Sequence, residues 1–220
     1  MRVLILNAGK GVRFFGPQED EYHKCLLKLN GETILDRQIR LLNMAGLTDI
    51  TVVIDAKSGQ KIKDVLIGKN VKVIEVTCYR EYYEKNWTLF QCKHLFSETL
   101  VLNGDVIFSE VTIPKVLSFF NQKTDKDIIF VGWLQYNQWY DRAPPYKRDE
   151  LFMFIMNERG AEILKNFTNP FGKMLWEDTK FWDLYRSFRR KPLFQLGVED
   201  AQDVDFPEDL EYWKREKLFK

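Results

Sequence analysis

Apolar positions along the chain follow two rhythms, short unbroken runs and runs spaced three and four apart, and the two alternate from the N-terminus onward. RVLIL (2–6) is a run of branched apolar residues of the kind found in strands buried on both faces. After a polar segment, ETILDRQIRLLNMAG (32–46) sets Leu35, Ile39 and Leu42 on one helical face and closes on Gly46, a residue suited to the position just past a helix end. DITVVID (49–55) predicts a strand, SGQKIKDVLIG (58–68) a short helix ending at Gly68, and VKVIEV (71–76) a third strand. NWTLFQCKHLF (86–96) predicts a helix that Asn86 can cap, and TLVLNGD (99–105) a fourth apolar strand stopping at Gly104 and Asp105. Strands and helices in this alternation predict a parallel sheet covered by helices on both faces.

The second half is less regular. TIPKVLSFFN (112–121) suits a helix with Pro114 in its first turn, while DIIFVGWL (127–134) and LFMFIM (151–156) suit strands. ERGAEILKNF (158–167) and KFWDLYRSFRR (180–190) suit helices, LFQLGV (193–198) a late strand, and PEDLEYWKREKLF (207–219) a closing helix with Pro207 at its first position. In parallel α/β sheets, ligands collect outside the carboxyl ends of the strands. That rule selects the loop after Leu6, Asp105, and whatever follows the late strand.

Composition narrows the function classes. The 220 residues are 45% hydrophobic, enough for a large core and, by default, one domain. Lys plus Arg number 33 against 32 Asp plus Glu, so a net charge of +1 leaves no general attraction to nucleic acid or to an anionic membrane, and any anion recognition must be local. The opening apolar run is too short for a signal peptide, and no stretch reaches the ~18 apolar residues of a spanning helix. Cys25, Cys78 and Cys92 form no C-x-x-C pair and are odd in number, which fits a reducing compartment. A soluble, cytoplasmic protein is expected.

The loop after the first run reads LNAGKGVRFFGPQEDEYHKCLLKLNG. Gly9 and Gly11 give the backbone freedom to bring N–H groups against phosphate. The order is not that of a Walker A loop, and Phe14 stands where a dinucleotide fingerprint needs its third glycine. Arg13 and Lys24 place two cations on the same loop. An exposed, charge-rich surface turn is the plainer reading of the glycines alone.

The ordered set resembles the signature of nucleotidyltransferases that make nucleotide-activated sugars, alcohols and cofactors, roughly L-A-A-G-x-G-[ST]-R, a variable loop, P-K-x-L, then a glycine. The chain has Leu6-Asn7-Ala8-Gly9-Lys10-Gly11-Val12-Arg13, then His23-Lys24-Cys25-Leu26, then Gly31. It departs from the pattern at Asn7, Val12 and His23. The resemblance implies a Rossmann-like three-layer α/β/α fold with a mostly parallel mixed central sheet. It implies a nucleotide-binding half in residues 1–110 and an acceptor-binding half in 111–220 of one domain. It assigns the nucleotide to Leu6, Asn7, Ala8, Gly9, Lys10, Gly11, Arg13, Lys24, Asn86, Thr88 and Gly104, with Arg13 and Lys24 stabilising charge at the attacked phosphate. Phosphoryl transfer needs that kind of positioning and neutralisation more than a protein nucleophile.

A nucleoside triphosphate travels with Mg²⁺, a hard ion that takes carboxylate oxygens. Asp105 resembles the family's metal-binding aspartate after a strand, and DAQDVDFPEDL resembles its closing D-I-D-T-P-E-D-L, in which Asp205 takes the second carboxylate's place. Asp203 and Asp200 are alternatives for that second ligand. A turn residue at Asp105 and a helix cap at Asp205 are the plain structural readings.

Asn86-Trp87-Thr88 is closest in feel to bacterial choline-phosphate cytidylyltransferases, so CTP is the favoured nucleotide and a phosphocholine-like phospho-alcohol or a sugar phosphate the acceptor. Trp133, Tyr136, Trp139, Tyr140 and Tyr146 beside Asp141 suit an ammonium group through cation–π attraction, while for any one of them a place in the core or a homodimer interface is the plainer reading. Trp176, Glu177, Asp178 and Trp182 pose the same choice, and His23 beside Lys24 is a weaker candidate for a phosphate contact. The alternatives are a sugar-1-phosphate nucleotidyltransferase using UTP or another NTP, and a degenerate module that binds nucleotide without catalysis. A glycosyltransferase would show Asp-x-Asp after the central strand, and GDVIF lacks the second acid.

Overall fold

The computed structural model describes residues 1–8, 23–77, 85–133, 150–166, 193–197, 201–204 and 210–211, with residues 85–87, Trp133, Glu150, residues 193–197, Gln202 and Asp203 described by backbone alone. Its strands are β1 (Arg2–Asn7), β2 (Lys28–Leu29), β3 (Glu32–Thr33), β4 (Asp49–Asp55), β5 (Lys72–Val76), β6 (Thr99–Asn103), β7 (Val106–Phe108), β8 (Ile128–Trp133), β9 (Glu150–Met156), β10 (Leu193–Gly197) and β11 (Ala201–Asp203). Its helices are α1 (Ile34–Met44), α2 (Gln60–Leu66), α3 (Lys85–Gln91), α4 (Thr112–Gln122) and α5 (Glu158–Lys165), with 3-10 turns at Lys24–Leu26 and Lys93–Leu95. The expected helix over 180–190 lies outside the described residues, as does the closing helix apart from Leu210 and Glu211.

Seven of the described strands make one sheet in the order β10-β8-β9-β6-β1-β4-β5. All neighbours run parallel except β9, which lies antiparallel between β6 and β8. Side chains alternate across β1: Val3 and Ile5 join a core with α1, α2 and α4, while Leu4 and Leu6 join a second core with α3 and α5. The molecule is therefore a Rossmann-like three-layer α/β/α fold around a mixed, mostly parallel sheet. Among the described residues no helix is long and apolar enough to cross a membrane.

α1 shows how local sequence sets these elements. Thr33 caps it by accepting from the Asp36 N–H at 3.0 Å, and Leu35, Ile39 and Leu42 face the core. Its end is a Schellman turn, in which Gly46 at φ +80° lets its own N–H reach the Asn43 carbonyl and the Leu47 N–H the Leu42 carbonyl. Two expectations need correction here. Glu32 and Thr33 are not helical but pair with Lys28 and Leu29, because the helix begins only past the Thr33 cap. The single helix over 86–96 is α3 followed by a separate 3-10 turn, with a break at Cys92. Lys85 is already helical, so Asn86 lies within the first turn of α3 instead of capping it.

Candidate active site

From β1 the chain builds outward through β4 to β5, then crosses back to place β6 on the other side of β1. The strand order reverses between β1 and β6, whose carboxyl ends lie side by side with Leu6 opposite Asn103. A crevice forms at such a reversal because the two connecting segments leave in opposite directions. The glycine-rich loop leaves from the end of β1, and Gly104-Asp105 follows β6 directly.

Lys24 comes to this point from its own 3-10 turn, with its Nζ donating to Asp105 Oδ2 at 3.3 Å across a separation of 81 residues. The lysine side chain is only 8% exposed and that of the aspartate 18%, so water screens the pair less than a surface bridge. Cys25, next to Lys24, is buried; desolvation first and the Asp105 charge second push its thiol pKa up, and it stays protonated and unreactive.

Over residues 3–139 the chain matches the family model of the MobA-like NTP transferase domain. The chain belongs to that family. No curated protein sequence matches it. Among solved structures, a provisionally named glucose-1-phosphate thymidylyltransferase from Bacillus anthracis superposes with a TM-score of 0.71 at 17% identity, covering 100% of this chain and 96% of that one. The CTP:phosphocholine cytidylyltransferase of Streptococcus pneumoniae gives 0.69 at 15%, covering 98% of both chains. The inositol-1-phosphate CTP transferase of T. maritima gives 0.68 at 16%, covering 99% of this chain and 95% of that one. At such identities the likeness is one of fold.

Within this MobA-like domain the backbone around Asp105 is held from three sides. The Gly104 N–H donates to the Leu6 carbonyl at 3.0 Å, tying the turn to β1, and the Val204 N–H donates to the Asp105 carbonyl at 2.9 Å. From α1, Gln38 Nε2 donates to the carbonyls of Asn103 at 3.0 Å and Val106 at 2.7 Å. The Val204 bond continues the pairing of β11 with β7, in which Asp203 stands opposite Val106. The late acidic segment therefore runs past Asp105, with Asp203 and Asp205 on either side of the bonded residue in sequence.

Asn7, the departure from the family's small residue, lies against Gly104. A Cβ at position 104 would meet the Asn7 carboxamide, so any side chain there would have to displace Asn7. Asn7 is buried, and among the described residues its Nδ2 has no hydrogen-bond partner. A buried donor without a partner is costly, which makes it a natural contact for a bound group.

His23, the departure from proline, has φ −116°, outside the range a proline ring allows. It is buried, and its Nε2 lies 2.6 Å from the Ser58 carbonyl, so that nitrogen carries the proton and Nδ1 is bare. Its Nε2 is thus committed to the protein and not to phosphate. Ser58 is fixed in turn through its N–H and hydroxyl on Asp55 Oδ2, at 3.0 and 2.8 Å.

Leu6 and Ala8 are buried at the end of β1, and Thr88 is buried in α3. Gly9, Lys10, Gly11, Arg13, Asp200 and Asp205 lie outside the described residues, as do the aromatic segment 134–149 and residues 176–182. His94 is exposed on its 3-10 turn. Among the described residues no group of three or more metal-ligating side chains occurs. The oxygen donors that Asp105 and the acid segment beside it would offer suit a hard cation such as Mg²⁺.

Gln38 is the feature that pattern reading missed. It sits three residues from Leu35 and four from Leu42, on the apolar stripe itself, and a polar residue there was the available signal.

Proposed function

We propose that the protein is a cytoplasmic, Mg²⁺-dependent nucleotidyltransferase that condenses CTP with a small phosphate monoester, a phosphocholine-like phospho-alcohol or a sugar phosphate, and releases pyrophosphate. The observation that carries this reading is the Lys24–Asp105 pair at the point of strand reversal in a chain of the MobA-like NTP transferase family.

In this reading an oxygen of the acceptor phosphate attacks the α-phosphorus in line. A new P–O bond forms as the bond to the bridging oxygen breaks, and pyrophosphate leaves with the electron pair. Lys24 exchanges its bond to Asp105 for the α-phosphate oxygens and neutralises the charge that develops there. The backbone of Gly9, Lys10 and Gly11 lines the phosphates and Arg13 adds the second cation. Leu6, Asn7, Ala8, Asn86, Thr88 and Gly104 border the base and ribose. Asp105 and Asp205 would hold Mg²⁺, which when bound spreads the phosphate charge and orients the triphosphate. CTP is favoured by Asn86-Trp87-Thr88 at the start of α3 and by the two neighbours named for CTP. The Bacillus anthracis neighbour supports a second reading, a sugar-1-phosphate nucleotidyltransferase with UTP or another NTP.

The test follows pyrophosphate while the protein meets each NTP with Mg²⁺ and a panel of phosphate monoesters. The expected result is turnover with CTP and a phospho-alcohol. Lys24→Ala and Asp105→Ala are each expected to lower turnover by about 10² to 10³ or more while the proteins still melt cooperatively. Near-normal rates in either variant would overturn the assignment of these residues. Absence of pyrophosphate with every pair, alongside thermal stabilisation by a triphosphate, would instead support a module that only binds.

A further inference from the structure

We infer that Gln38 is the positioning residue for Asp105, acting through the two backbone carbonyls that bracket it; this rests on the function proposed above. The segment Asn103-Gly104-Asp105-Val106 is a four-residue turn between β6 and β7. One nitrogen of Gln38 donates to its first and last carbonyls, at 3.0 and 2.7 Å, so a single rigid amide spans the turn. Gln38 itself is 1% exposed, and among the described residues its buried Oε1 has no hydrogen-bond partner. The side chain therefore leaves one polar atom unsatisfied while both of its N–H groups clamp the turn, although the helical stripe it occupies otherwise carries leucine and isoleucine. Of the residues inside the turn, Gly104 has no side chain, and Asp105 is the one whose carboxylate meets Lys24. Fixing both flanks of that residue fixes where its oxygens lie, and a fraction of an ångström decides whether a carboxylate meets a ligand at bonding distance.

Arg37, the neighbouring residue of α1, supplies an internal control. It is also buried, and its Nε and Nη2 donate to the Phe108 carbonyl at 3.3 and 3.4 Å. It holds the far end of β7, three residues beyond Asp105, so its loss should cost stability without moving the carboxylate.

The experiment measures Mn²⁺ retention by electron paramagnetic resonance in the presence of whichever triphosphate most raises the wild-type melting temperature. It adds kcat and the KM values for the metal triphosphate and the acceptor. Gln38→Met, which keeps the volume and removes both donors, is expected to weaken Mn²⁺ retention and lower kcat by about tenfold or more, with the acceptor KM within about twofold of wild type. Gln38→Asn keeps the amide but is one methylene shorter and cannot span both carbonyls, so it is expected to lose metal in the same way; it serves if Gln38→Met does not fold. Arg37→Met is expected to melt at a lower temperature and retain Mn²⁺ within about twofold of wild type.

Metal retention near wild type in the Gln38 variants would overturn the inference. So would an Arg37→Met protein that loses metal to the same extent, or failure of both Gln38 variants to fold, since each assigns Gln38 to the core alone. A wild-type protein that binds no metal triphosphate overturns the proposed function and this inference with it; wild-type binding with unimpaired Gln38 variants overturns this inference alone.

Discussion

His23 shows at the scale of one residue how a departure from a family pattern is absorbed. Proline before the lysine would stiffen the turn by fixing φ; here burial and the bond to Ser58 hold the same position, and Asp55 anchors Ser58. Burial is the largest influence on the imidazole and lowers its pKa, with Lys61 adding to that and the Ser58 carbonyl and Asp55 opposing it. The folded protein therefore keeps His23 neutral at a pH where the unfolded chain takes up a proton. The unfolded state binds more protons as pH falls below the ordinary value of about 6.5, so stability declines there and is fully present above it. One proton limits the slope to about 1.4 kcal/mol per pH unit. Urea unfolding between about pH 5 and 8 should show this loss in the wild type and a shallower one in His23→Gln, whose side chain does not titrate; parallel curves would sink the assignment. Lys24 and Asp105 were legible as candidates because their residue types and strand-end positions carry chemistry. His23 as an anchor was not, because its partner is a backbone carbonyl 35 residues away that leaves no mark on composition or period.

At the scale of elements, the pairing of β7 with β11 brings the backbone of Ala201–Asp203 alongside the strand that follows Asp105, and each of these strands has only three residues. Strands so short carry no usable periodicity, so neither VIF after Asp105 nor AQD announces itself as a strand in the sequence. The direction of β9 was equally hidden, since an apolar run looks the same parallel or antiparallel. The longer strands and the amphipathic helices α1, α4 and α5 were legible, because burial on one or both faces writes itself into the order of residues. The Val204 N–H is the last rung of the short pair, and it ends on the Asp105 carbonyl. Val204→Pro removes that donor and is expected to cost about 1 to 3 kcal/mol, which at this chain length lowers the melting temperature by several degrees. It should also raise the KM for the metal triphosphate, since the acid segment would no longer be tied to Asp105. Val204→Ala keeps the N–H and loses only buried volume, so it is expected to lower the melting temperature while leaving that KM unchanged. Equal KM values in the two variants would show that the rung does not carry the acids into place.

At the scale of the whole molecule, the family match ends at residue 139, yet the sheet does not. β9 arrives later in the chain and inserts between β6 and β8, pairing Leu100 and Ile129 with Ile155, and Val101 and Phe130 with Phe154. Met153, Phe154, Ile155 and Met156 are each fully buried, two on each side of the sheet. β10 then covers the outer edge of β8. A chain ending at residue 139 would leave β6 and β8 with open backbone edges and apolar faces toward water, the arrangement most prone to pairing between molecules. Residues 1–139 expressed alone are therefore expected to show no cooperative thermal transition, to lack near-ultraviolet dichroism and to elute as aggregates. The full chain should melt in one transition, because the strand that completes the nucleotide-binding half comes from the half assigned to the acceptor. A monomeric fragment with a sharp melt would mean that β9 and β10 are additions to a self-sufficient core. A fragment that fails to melt cooperatively beside a full chain with one transition would mean that the β1–β6 edge carrying Asp105 is secured only once β9 has been inserted between β6 and β8.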